Sequence, residues 1–78
     1  MKVVFEVLAE LVARVQEKGR AVFIADGIVM VLRADGADGG FVLEEREYGT
    51  ICLAYSLDDA LECVMDHADG GEVKFLDE

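Results

Sequence analysis

Positive charge is scarce in this sequence. Seven lysines and arginines stand against seventeen aspartates and glutamates, leaving a net charge of −10 over 78 residues. A field of that sign repels nucleic acid and anionic membranes, and it favours a basic protein surface as partner. Acidity also keeps a small protein soluble without implying any partner. Cysteine is nearly as scarce. Cys52 and Cys63 are too few for a disulfide framework, and in a chain read as cytoplasmic they are expected to stay unpaired. No apolar run approaches the ~20 residues needed to span a bilayer. The opening stretch MKVVFEVLAELVA is broken by Glu6 and Glu10 and precedes no small-residue cleavage site, so it does not read as a signal peptide. These absences point to one domain, residues 1–78, in the cytoplasm and off the membrane.

What is present is strongly periodic. Val4, Leu8, Leu11, Val12 and Val15 recur at helical spacing, with Phe5 beside them, and predict a helix over residues 2–18 ending at Gly19. Lys2–Glu6 and Glu10–Arg14 are opposite charges four apart on that helix. Two β-rich runs then flank Asp26-Gly27, a two-residue hairpin signal. The implied pairs are Ala25 with Ile28, Ile24 with Val29, Phe23 with Met30, Val22 with Val31 and Ala21 with Leu32. One face of this hairpin holds Val22, Ile24, Val29 and Val31, and the other holds Phe23, Met30 and Leu32. Both faces are apolar, so either elements cover both or a second copy does, through a homodimer.

Further along, residues 34–40 read as a loop, 41–46 as a third strand, 47–49 as a turn and 50–55 as a fourth strand. Ser56 begins a second helix, with Asp59 three positions on in a capping-box arrangement. Its apolar face is Leu57, Ala60, Leu61, Val64, Met65 and Ala68, and Gly70-Gly71 ends it. Residues 72–76 read as a last strand. The order α-β-β-β-β-α-β describes an α+β fold: an antiparallel sheet of about five strands with two helices.

Ala-Asp-Gly occurs four times, at 25–27, 34–36, 37–39 and 68–70. A calcium loop starting at Asp35 would place Ala37, Gly39 and Arg46 at positions that need oxygen ligands. A phosphate cradle would be repelled by Asp35 and Asp38. Turn chemistry accounts for all four, since aspartate bonds the local backbone and glycine adopts positive φ. Cys63 and His67, four apart, could make a thiolate nucleophile, but acidic surroundings raise a thiol pKa and no orienting residue accompanies them. Neither an enzyme nor a cofactor or metal site is expected.

The carboxylates carry the strongest signal. Net charge is +1 over residues 1–24, −4 over 25–54 and −7 over 55–78, where Lys74 is the only cation. On the second helix Asp58, Asp59, Glu62, Asp66 and Asp69 fall within a sector of about 100°, with Asp58, Glu62 and Asp66 rising about 6 Å apart. No base sits four away to relieve them, and Asp69 also opposes the helix dipole. Such a row is either a plain solvated face or a surface built to meet cations, spaced like backbone phosphates. Glu44, Glu45, Glu47, Asp35 and Asp38 form a second, weaker group.

Small size, strong acidity, an α+β fold and no catalytic signature resemble the phage-encoded anti-CRISPR proteins and other DNA mimics. That resemblance covers the whole chain in character and rests on no shared motif. It implies a non-enzymatic inhibitor in a host-cell cytoplasm that covers the basic nucleic-acid-binding surface of a partner, a CRISPR effector complex among them. The rival readings are an antitoxin- or immunity-type inhibitor of a basic toxin, and a structural homodimeric subunit.

Overall fold

The computed structural model describes residues 5–35, 39–67 and 72–77. Its elements run α1 (Phe5–Lys18), β1 (Arg20–Ala25), β2 (Ile28–Asp35), β3 (Gly40–Glu45), β4 (Gly49–Ala54), α2 (Leu57–His67) and β5 (Val73–Phe75), the order read from the sequence. The five strands form a single antiparallel sheet in the order β4-β3-β2-β1-β5. Residues 2–4 of the first expected helix, and Ala68 with Gly70-Gly71 of the second, lie outside the described residues.

The β1–β2 hairpin has the expected register, from Ala25 opposite Ile28 to Ala21 opposite Leu32, and extends to Arg20 opposite Arg33. Its turn puts Asp26 at φ 53° and Gly27 at φ 78°, the pair of positive angles a type I′ turn requires. Gly27→Ala is expected to destabilise the fold by about 1 kcal/mol, because a Cβ disfavours that angle although nothing crowds it. Urea melts with an unchanged slope would check this.

The connection after β2 is shorter than the expected loop at 34–40. Ala34 pairs with Phe41 and Asp35 with Gly40, so only residues 36–39 lie between the strands. Alanine, aspartate and glycine carry little strand propensity, which hides the ladder in the sequence. The third strand ends at Glu45 rather than 46 and the fourth at Ala54 rather than 55, while β5 is trimmed to three residues.

Both helices lie on one face of the sheet. Strand alternation sends Ala21, Phe23, Ala25, Met30, Leu32 and Leu43 to that side, where they pack with Leu11 and Val15 of α1 and with Ala60 and Val64 of α2. Phe23, Leu11, Leu32, Leu43 and Val64 are the largest fully buried side chains. β5 returns to pair with β1, setting Phe75 beside Phe23 at 6.3 Å between ring centroids. Arg14 of α1, in its expected pair with Glu10 at 3.0 Å, also stacks over Phe75 and donates to the Leu76 carbonyl. One guanidinium therefore ties α1 to the last strand.

Among the described residues no helix lies on the opposite face. It carries the other hairpin set, Val22, Ile24, Val29 and Val31, joined by Val42 and Leu53.

Candidate functional site

α2 presents the carboxylates. Ser56 caps it, its hydroxyl accepting from the Asp59 amide at 3.2 Å. Ala60 and Val64 are buried, with Leu57, Leu61 and Cys63 half-buried beside them. Met65, expected on the apolar face, is 45% exposed. At 100° per residue it stands only about 20° from Asp58, on the border of the acidic sector. Asp58, Asp59, Glu62 and Asp66 are all exposed, and among the described residues none of the four has a basic partner. Asp69 lies outside the described residues. Asp58 and Asp59 suit the positive end of the helix dipole; Glu62 and Asp66 gain nothing from it.

The second acidic group does not make one surface. Glu44 and Glu45 are consecutive in β3 and point to opposite faces. Glu44 lies on the helix-free face, paired with Arg33, and its hydrogen bond and charge raise the Arg33 pKa further. Glu45 shares the helix side with Met30 and, with Glu47, Arg46 and Tyr48, lines a cleft of about 260 Å³ between the two hairpin turns. Asp35 ends β2 opposite Gly40, and Asp38 lies outside the described residues.

Cys52 and Cys63 form a disulfide joining β4 to α2, with Cα atoms 6.6 Å apart. This corrects the expectation of unpaired cysteines. That expectation rested on cysteine count and a cytoplasmic setting; what lets the two residues meet is a β-bulge, where Leu43 pairs with Cys52 but Glu44 with Thr50, leaving Ile51 extra. Simple alternation would send Ile51 to the helices and Cys52 away from them. The bulge turns both toward the helix layer, where both pack on the core and Cys52 meets Cys63. His67 is not aimed at sulfur; its Nδ1 donates to the Cys63 carbonyl at 2.8 Å. The Cys63–His67 pair thus offers no free thiol in this form. Among the described residues no three His, Cys, Asp or Glu side chains converge as a metal site.

Closing a loop across 11 positions contributes about 2.8 kcal/mol by chain entropy. Cys63→Ser is expected to lower the unfolding free energy by that amount, and wild type under non-reducing conditions should show no free thiol by Ellman titration. Two free thiols without reductant would contradict the bridge.

No protein-family model, curated protein or solved structure matches this chain. No helix among the described residues is long and apolar enough to cross a membrane.

Proposed function

We propose that this protein is a non-enzymatic acidic inhibitor whose α2 face occupies a basic nucleic-acid-binding surface on a partner protein. The observation that supports this reading is the unrelieved row Asp58, Asp59, Glu62 and Asp66 on one exposed face of a helix. Counterion release and charge dominate the binding of phosphate backbones, so a row of carboxylates near phosphate spacing captures much of that affinity. The row is carried by a helix whose other side is packed on the sheet through the buried Ala60 and Val64. Fixed charges avoid the ordering cost that a flexible acidic tail would meet on binding.

Following the resemblance to anti-CRISPR proteins, the partner class is a CRISPR effector complex and the setting a host cytoplasm. A reducing cytosol would hold Cys52 and Cys63 as a dithiol, leaving α2 on its apolar contacts alone. The experiment is displacement of labelled duplex DNA from a panel of purified effector complexes. Wild type is expected to compete with DNA on at least one of them, and Glu62→Lys with Asp66→Lys to lose that competition. Equal behaviour of the two proteins on every complex would reduce the carboxylate row to a solvated face.

A further inference from the structure

We infer that the helix-free face of the sheet is a self-association surface, on which a second copy stacks back to back to form a four-layer dimer. This inference does not rest on the function proposed above. The face has an apolar centre: Val22, Ile24, Val29, Val31, Val42 and Leu53. Val22 and Val42 are already buried within one copy, Ile24, Val29 and Val31 are half-buried, and Leu53 is 70% exposed. Four of these six side chains lie on β1 and β2 and the other two on β3 and β4, so the patch runs across the sheet instead of along one edge.

Charge selects the occupant. The face carries Arg20, Arg33 and Lys74 against Asp35 and Glu44, a balance of +1 on a molecule whose net charge is −10. A basic partner is drawn to the helix layer instead, where Glu6, Glu10, Glu17 and the α2 row lie. An acidic polymer is repelled by the molecule as a whole. A second copy offers the same near-neutral apolar face. Two-fold stacking also holds the acidic helices apart: with sheets ~10 Å apart and a helix layer ~10 Å beyond each, they stand about 30 Å from one another. That is several times the ~8 Å over which charges interact at physiological salt. Back-to-back packing is the arrangement in which self-repulsion is least. Arg33 and Glu44 suit it as well, because an isologous contact lets each bond its counterpart in the other copy.

Area sets the strength. Five strands at ~4.8 Å spacing and ~20 Å length give about 480 Å² per copy, or roughly 1,000 Å² in total, the lower limit for a specific interface. An interface of that size belongs with the weak, transient contacts.

Sedimentation equilibrium of the full chain from about 1 to about 500 µM, a span suited to an interface of this size, tests it. The apparent mass is expected to rise from 8.5 kDa toward twice that value. Raising NaCl from about 0.05 to about 0.5 M shortens the Debye length about threefold and should tighten the dimer. Leu53→Lys, at an already exposed position, is expected to weaken it at least tenfold with unchanged circular dichroism, and Val31→Lys to do so more strongly. Glu62→Lys should leave it intact. A wild type that stays at 8.5 kDa at the highest concentration would overturn the inference. So would a dimer insensitive to Leu53→Lys, one dissociated by Glu62→Lys, or one weakened by salt.

Discussion

Glu62→Lys combined with Asp66→Lys is expected to weaken partner binding about 100-fold, while Glu6→Lys combined with Glu17→Lys weakens it no more than about threefold. Both pairs change net charge by the same amount. Both consist of exposed carboxylates without a basic partner among the described residues. Glu10 is the poorer control, since it already neutralises Arg14 and its loss would also loosen β5. At a screened contact each unit of charge contributes somewhat under ~1 kcal/mol, so reversing two carboxylates comes to about 2.7 kcal/mol, or two decades in Kd. Isothermal titration against the complex identified by DNA displacement measures it. Equal losses from the two pairs would mean that bulk charge alone operates and that the row on α2 has no positional role. The wild-type contact should also weaken as salt rises, opposite to the trend expected of the sheet-face dimer.

The second large effect is structural. Gly40→Val is expected to cost about 4 kcal/mol, at the upper end of overpacking, and to leave little folded protein in a domain of this size. A Cβ on Gly40 would lie 2.5 Å from the Ala54 carbonyl oxygen, a backbone atom that no rotamer change can move. Relieving the clash means parting β3 from β4, and with β4 goes the strand that α2 is bonded to. Gly39→Ala makes the contrast. Gly39 sits at φ 70° with open space where its Cβ would be, so the cost is backbone strain of about 1 kcal/mol. Urea denaturation of both variants decides the point. A Gly40→Val protein within 1 kcal/mol of Gly39→Ala would mean that β4 does not approach β3 this closely.

These two glycines also mark how far the sequence could be read. Asp26-Gly27 pins the first hairpin residue by residue, because a two-residue turn leaves one register and flanking β-branched residues fill it. Gly39 and Gly40 look alike in sequence, yet one is a turn and the other a strand residue that needs to be small. Nothing local separates a glycine needed for its angle from one needed for its size. The acidic sector of α2 was legible for a simpler reason: helical periodicity alone fixes which side chains share a face. Met65 was misplaced because it borders that sector. The Cys52–Cys63 bridge was hidden since it depends on the bulge at Ile51, and counted from the turn at 46–48 a one-residue slip reverses the facing of every residue after it in the strand. Which face the helices would cover lay beyond reach as well, because both hairpin faces are apolar.

The return of the chain to β1 has a kinetic side. β1 through β4 form a meander of neighbours in sequence, which closes through short loops and is fast. β5 is different: Phe75 pairs with Phe23 across most of the chain, a contact of high sequence separation that is slow to close. Until it does, one flank of β1 offers unpaired amides and carbonyls to any extended strand nearby. In the folded protein Arg14 of α1 holds its guanidinium over the Phe75 ring and donates to the Leu76 carbonyl. The arginine that looks like one half of a surface ion pair thus helps to hold β5 over the flank of β1 that would otherwise stand open to another strand.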